Sequence, residues 1–264
     1  MIPNKRVFGT KEWANKTANC IRGCAHDCRY CYAKCMAIRF KRKTRDNWHI
    51  EEIALDQIKN VCRGKPTRVM FPSTHDLTPG NMIPCMKAIR LMLNHGHRLL
   101  IVSKPHLECI EAISREYGSF RDKIMFRFTI GSDDDSVLKF WEPNAPSFHE
   151  RLCSLELAYK AGFQTSISCE PMLDDHVERL VDVLLPFVTD AVWIGKMNQL
   201  RQRISINGDD ENVSQRAEEL IRSQSKERSI SIYQALGNNR LVKWKESIKK
   251  DIGIEVPTEP GLDA

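Results

Sequence analysis

The chain has 264 residues, 42% of them apolar, with 40 basic and 34 acidic side chains and a formal charge of +6. That length builds one substantial core, so residues 1–264 are expected to form a single domain, and the mild positive excess suits an anionic substrate without demanding one. No apolar run approaches the roughly 18 residues of a membrane span, and residues 1–10 (MIPNKRVFGT) lack the apolar centre of a secretory signal, so the expected location is the cytosol.

Taken in chain order, a short first strand is expected near Thr17–Cys20, ahead of a cysteine-rich stretch. Thr67–Pro72 reads as a strand, Asn81–His95 as a helix and Arg98–Ser103 as a strand. His106–Tyr117 reads as a helix opening after Pro105, and Lys123–Ile130 as a strand. Ser147–Ala161 reads as a helix with Ser147 as its N-cap and Glu150 three residues on. Gln164–Cys169, Asp174–Phe187 and Asp190–Gly195 continue the alternation of strand, helix and strand. Beyond Asn198 the pattern loosens into a polar stretch (RQRISINGDDEN). A helix at Val213–Ser223, a strand at Ser229–Tyr233 and a helix near Arg240–Lys250 close the chain, and residues 256–264 (VPTEPGLDA) read as a loose tail.

Strands separated by helices imply right-handed crossovers and a parallel sheet. About six such units suit an α/β fold of the incomplete (β/α)6 TIM-type barrel; a doubly wound sheet is the second reading. The core is expected over about 17–200, with 201–264 as a C-terminal extension. In either architecture functional groups gather at the carboxyl ends of the strands.

Five of the ten cysteines lie at positions 20, 24, 28, 31 and 35, while Cys62, Cys85, Cys109, Cys153 and Cys169 are scattered singly. This distribution fits a local metal site in a reducing compartment better than a disulfide framework. Cys24, Cys28 and Cys31 have the spacing C-x3-C-x2-C. Three thiolates from one tight loop can hold three corners of a [4Fe–4S] cubane and leave the fourth iron without a protein ligand. Two other readings compete. Zinc would want a second ligand pair beside the one C-x2-C, and a closed electron-transfer cluster would recruit Cys20 or Cys35.

The loop Gly23–Tyr32 (GCAHDCRYCY) resembles the signature of radical S-adenosylmethionine (SAM) enzymes, with Tyr30 as the aromatic before the last cysteine. Ile101–Pro105 (IVSKP), Arg127–Ser132 (RFTIGS), Trp141–Pro146 (WEPNAP) and Cys169–Asp174 (CEPMLD) extend the resemblance to the spore photoproduct lyase-like branch, whose members are often described as DNA repair photolyases. The resemblance implies a [4Fe–4S] cluster on Cys24, Cys28 and Cys31. It implies SAM as cofactor, cleaved reductively to a 5′-deoxyadenosyl radical, and an electron donor such as a flavodoxin or ferredoxin. It makes nucleic acid the leading substrate class, with a peptide or small metabolite as the alternative. A non-catalytic electron-transfer module is the reading from another class.

Around the resembling loop, Ser103 and Lys104 end a strand, which suits a charge contact from Lys104 to the SAM carboxylate; the other reading is a solvent-facing lysine. Ser73 and Asp76 follow the strand Thr67–Pro72, where many such enzymes carry glycines, and His75 beside them is read equally as a helix cap. Arg127 and Thr129 alternate with Phe126, Phe128 and Ile130, so they are expected to face a polar lumen. Ser166, Ser168 and Glu170 share one face of the next strand, with Glu170 placed to meet the ribose or the substrate. Cys169 falls on the opposite face as a small buried hydrophobe. Glu142 and Lys196 stand near strand ends as substrate ligands or ordinary ion pairs. Lys41, Arg42 and Lys43, with Phe40 and Trp48 nearby, have the composition that follows a phosphate backbone and stacks on bases; a solvated helix face is the plainer reading, and Lys243-Trp244-Lys245 repeats the ambiguity.

Overall fold

A computed structural model describes residues 9–256 and 259 of the chain. The strands are β1 (Lys16–Thr17), β2 (Ile21–Arg22), β3 (Glu52–Ile53), β4 (Arg68–Phe71), β5 (Arg98–Ser103), β6 (Ile124–Thr129), β7 (Gln164–Cys169), β8 (Val192–Ile194) and β9 (Val242–Trp244). The helices are α1 (Tyr32–Arg39), α2 (Asp56–Val61), α3 (Met82–Asn94), α4 (Leu107–Tyr117), α5 (Asp135–Trp141), α6 (Phe148–Lys160), α7 (Val177–Leu184), α8 (Leu200–Asn207), α9 (Glu211–Ser223), α10 (Lys226–Leu236) and α11 (Glu246–Ile252).

Seven strands form one sheet in the order β1-β4-β5-β6-β7-β8-β9, and every neighbouring pair is parallel. Parallel neighbours need crossovers, and α3, α4, α6 and α7 supply them on the outer face. Helix α3 shows why: Cys85, Ala88, Ile89, Met92 and Leu93 fall at helical spacing and are buried against the sheet. Each fully buried aliphatic side chain there contributes about 2 kcal/mol. Ser147 caps α6 as its sequence predicts, accepting the Glu150 amide at 3.3 Å. The inner face carries a second, smaller cluster of Met70, Leu100, Met125, Ala191 and Trp193 with Trp13. Two layers of core on the two faces of a parallel sheet make this a barrel-type α/β fold, as expected.

The sheet has one strand more than the expected six units. Val242 and Trp244 are buried and Lys243 between them is exposed, a two-residue alternation that places β9 where a helix was expected over Arg240–Lys250. Conversely Ser229–Tyr233, expected as a strand, lies inside α10. The apparent alternation of Ile230 and Ile232 is overridden by burial of Ser229, Ile232 and Leu236 at helical spacing, behind an N-cap at Ser225. The polar stretch after Asn198 is also not loose. Leu200, Ile204 and Asn207 form the buried face of α8, which ends at Gly208 with φ +119°. Most of the tail 256–264 lies outside the described residues.

Among the described residues β1 and β9 do not pair with each other, and the segment Gly9–Trp13 bridges these two edges. Lys245, directly after β9, is 1% exposed in its side chain and places its ammonium 2.8 Å from Glu12 and 3.3 Å from Glu170. The same ammonium lies 4.2 Å from the centre of the Trp13 ring.

Candidate cluster and cofactor site

The cysteine loop is held by backbone before any metal enters. It opens at Gly23, whose φ of +97° and close approach suit glycine: a Cβ there would meet the Ile50 carbonyl at 2.4 Å and the Trp48 carbonyl at 2.7 Å. The Cys24 amide donates to the Trp48 carbonyl at 3.0 Å, and the Cys31 amide to the Cys28 carbonyl at 3.1 Å. Within the loop Arg29 donates to the Phe140 carbonyl at 2.8 Å, and from outside Asn207 of α8 donates to the carbonyls of Arg29 and Cys31, both at 2.9 Å. Cys31 serves as the N-cap of α1, its sulfur accepting the Lys34 amide at 3.4 Å.

Cys24 and Cys28 are buried and Cys31 is half-buried. Burial pushes all three thiols above their ordinary range, and each lies within electrostatic reach of Lys104. Thiols gathered in one loop and reluctant to ionise alone are stabilised as thiolates by a metal's positive charge. The donor set therefore fits an iron–sulfur cluster.

The polar floor of the site comes from the carboxyl ends of β4 and β5. Asp76 accepts from the Ser103 hydroxyl at 2.9 Å, the Lys104 amide at 2.8 Å and the Lys104 ammonium at 3.2 Å. His26, inside the cysteine loop, contacts Asp76 Oδ2, the oxygen that also takes the Lys104 ammonium, through Nδ1 at 2.9 Å, and His106 through Nε2 at 2.9 Å. Burial opposes the Asp76 charge, but Lys104 and His26 outweigh it and hold the carboxyl well below its usual range. Burial likewise opposes the Lys104 ammonium, and Asp76 lifts it well above the usual lysine range. Ligand atoms of Cys24, His26 and Asp76 all lie within 4.8 Å of one another, so the loop and the strand ends face one space. Ser73 is anchored by Asn19, whose amide nitrogen donates to the Ser73 hydroxyl at 3.0 Å, and its carbonyl accepts the Tyr32 hydroxyl.

Solved structures share this architecture. A variant of spore photoproduct lyase matches at 18% identity with TM-score 0.55, over 88% of this chain and 76% of that one. Another variant, with bound AdoMet and dinucleoside spore photoproduct, matches at 14% identity with TM-score 0.57, over 92% and 79%. The chain has the spore photoproduct lyase fold. Streptococcus suis SuiB bound to precursor peptide SuiA matches at 11% identity with TM-score 0.52, over 94% of this chain and 54% of that one. No protein-family model and no curated protein sequence matches the chain.

Within the spore photoproduct lyase fold, Asp76, Ser103 and Lys104 converge at the β4 and β5 ends, while Ser73 on the loop after β4 is tied to Asn19 and Tyr32. Tyr30 donates to Glu142, and burial, then Glu142, pushes its phenol well above the usual range. Thr129 ends β6, half-buried, its carbonyl accepting from Arg151 at 3.2 Å. Glu170 directly follows β7 and meets Lys245. His75 is engaged by backbone on both sides, its Nε2 accepting the Cys20 amide at 3.3 Å and its Nδ1 meeting the Asp76 carbonyl at 3.0 Å.

Four expected substrate ligands are otherwise engaged. Glu142 is fully buried and paired with the equally buried Arg151 at 2.5 Å, so it braces Tyr30. Arg127 faces the lumen as alternation predicts, but it is packed between Trp13 and Trp193, with ring centres 4.8 and 5.3 Å away, and is paired with Asp190 at 3.0 Å. Lys196 pairs with Asp251 of α11 at 2.5 Å. Lys43 is buried, pairing with Glu52 at 2.5 Å and donating to the Ile50 carbonyl at 3.0 Å; only Lys41 and Arg42 of that trio are exposed.

Sequence reasoning passed over His26 and Arg203. His26 sits inside the C-x3-C-x2-C loop, whose spacing marks only the sulfurs. Arg203 lies in the polar stretch after Asn198, where Leu200 and Ile204 four apart and Gly208 after Asn207 carry a helix signal. A separate cavity of about 120 Å³, lined by Arg68, Arg98 and Lys123 among others, opens at the amino ends of the strands, opposite the thiols.

Proposed function

We propose that the chain is a radical SAM enzyme acting on nucleic acid. The observation that carries the cofactor reading is the meeting of the cysteine loop with the strand ends: Cys24, His26 and Asp76 bring ligand atoms within 4.8 Å of one another, beside Lys104 and Ser103. When bound there, a [4Fe–4S] cluster and SAM supply reductive cleavage of a carbon–sulfur bond. The protein's own residues bind and orient. Cys24, Cys28 and Cys31 hold the cluster, and Asp76 with Lys104 presents one anion and one cation to the amino and carboxylate groups of SAM. Tyr30, braced by Glu142 and Arg151, fixes the loop between the second and third ligands, while Ser73, Thr129 and Glu170 stand at strand ends around the nucleoside. Electrons come from an acidic carrier of the flavodoxin or ferredoxin kind. All ten cysteines are free thiols, which suits a reducing, cytosolic setting.

The substrate reading rests on the lyase-like motifs and on the exposed group of Lys41, Arg42 and Phe40. Phe40 is 57% exposed, and the Arg42 guanidinium lies 5.2 Å from its ring centre. Such a pairing stacks on bases and neutralises phosphates in single strands.

Anaerobically reconstituted protein should carry about four irons per chain. With a strong reductant and SAM it should release 5′-deoxyadenosine. Alanine at Cys24, Cys28 or Cys31 should abolish both, whereas alanine at Cys20, which lies 3.5 Å from Cys85, or at Cys35 should leave the iron in place. Iron loss on replacing Cys20 or Cys35 would refute the three-ligand site. For the substrate, a single-stranded oligonucleotide should bind with log affinity falling by roughly 0.7 per phosphate contact against log salt, and Lys41→Ala with Arg42→Ala should flatten that slope by about 1.4. A slope that the double variant leaves alone points to a peptide, the class of partner bound by SuiB.

A further inference from the structure

Four cations around the thiols have carboxylate partners. Lys104 has Asp76, Lys34 has Asp27, Arg151 has Glu142 and Lys245 has Glu170. Arg203 has none: among the described residues its guanidinium makes no hydrogen bond and no ion pair. It is nevertheless half-buried rather than extended into solvent. On α8 it borders the buried row of Leu200, Ile204 and Asn207, and Asn207 is the residue that grips the Arg29 and Cys31 carbonyls. It lies within electrostatic reach of Cys31, Glu170, Cys35 and Tyr30, and burial pulls its pKa down despite them. A guanidinium held this way has lost solvation without gaining a partner, an arrangement that costs free energy until an anion arrives.

Two links tie this position to the exposed basic group. Helix α8 packs along α1, which carries Phe40 at its end. Arg45 donates to the Ser205 and Ile206 carbonyls of α8, both at 2.8 Å, fastening the 39–45 segment to the same helix. Arg203 thus stands where a strand crossing Lys41 and Arg42 would meet the thiol side of the site. We infer that Arg203 binds a phosphodiester group of the substrate beside the nucleotide that reacts, its planar fork taking two oxygens of one phosphate. This rests on the nucleic-acid reading above. The shared chemistry is an anionic pair of oxygens, and the carboxylate of SAM is the other source of one.

The test measures a fluorescent single-stranded oligonucleotide and SAM on the same cluster-loaded protein, with Arg203→Gln and Arg203→Lys. Arg203→Gln should weaken oligonucleotide binding about tenfold or more and flatten the salt slope by about 0.7, with SAM affinity unchanged. Arg203→Lys should restore the slope, because the charge returns, while recovering only part of the affinity, because the fork does not. The thermal midpoint of Arg203→Gln should not fall, since no native partner is lost. Wild-type binding with a steep slope that Arg203→Gln leaves intact overturns the inference and spares the nucleic-acid reading. A fall in SAM affinity alone assigns the arginine to the cofactor and overturns it too. Failure of the wild type to bind the oligonucleotide removes both.

Discussion

Asp76 is the residue on which the site's electrostatics turn. Its carboxylate takes the Lys104 ammonium, the Lys104 amide, the Ser103 hydroxyl and His26, and the pair is almost fully withdrawn from water. Breaking a buried pair by removing one partner leaves the other charge uncompensated. Asp76→Asn should therefore lower unfolding free energy by about 3 kcal/mol at pH 7 in iron-free protein. The folded pKa lies below the unfolded value of 3.8, so the contribution is complete above that value and fades as pH falls through it towards the folded pKa. The gap between urea melts of wild type and variant should be full at pH 7 and narrower at pH 3. An equal gap at both pH values would place the carboxylate's role elsewhere.

At the scale of elements, the alternation from β4 to β8 was legible because each strand is an apolar run flanked by helices of clear amphipathic period. The three thiols of the proposed cluster site stand out in the sequence because their spacing is a property of one loop. What escaped the sequence depended on partners far along the chain. Glu142 reads as an acid near a strand end, and nothing local announces that Arg151 will bury it. Alternation alone gives Arg127 its inward face, but the tryptophans that enclose it come from residues 13 and 193. Lys43 sits in a basic run and only the distant Glu52 turns it inward. The C-terminal part misled for a different reason. In Ser229–Tyr233 two isoleucines fell two apart by chance, while the buried positions of α10 keep helical spacing; in β9 three residues were too few to outweigh the helix-like run beyond them. Helix α8 matters most among these, since it supplies both the brace of the cysteine loop and the unmatched arginine.

For the whole molecule, the bridge across the sheet edges is the costly contact. Glu12 and Lys245 are 1% exposed in their side chains and Glu170 is half-buried, so one ammonium serves two carboxylates. Burial raises the Glu12 pKa above 4.5 even though Lys245 opposes the shift. The sign is opposite to that of Asp76: the Glu12 contribution is complete below pH 4.5 and is lost as pH rises through its folded pKa. Lys245→Met should destabilise by about 3–5 kcal/mol at pH 7, with a smaller deficit at pH 4, where Glu12 holds its proton. Denaturant midpoints at the two pH values read this directly, and a deficit that grows on acidification would contradict the assignment.

The bridge also has a consequence for biogenesis. Strands β4 to β8 are each laid beside a predecessor already made, so that part of the sheet can assemble as the chain emerges. The segment Gly9–Trp13 is different: its clamp is residue 245, and the brace over the cysteine loop is residue 207. Synthesis at about 5–20 residues per second separates Cys31 from Asn207 by roughly 9 to 35 s. Through that interval the three thiols are present without the brace that α8 provides, and the ring is open at the edge that Lys245 later fastens. The window for inserting a bulky inorganic cluster is thus written into the order of the chain, because the parts that brace the site and fasten the ring are made after the thiols.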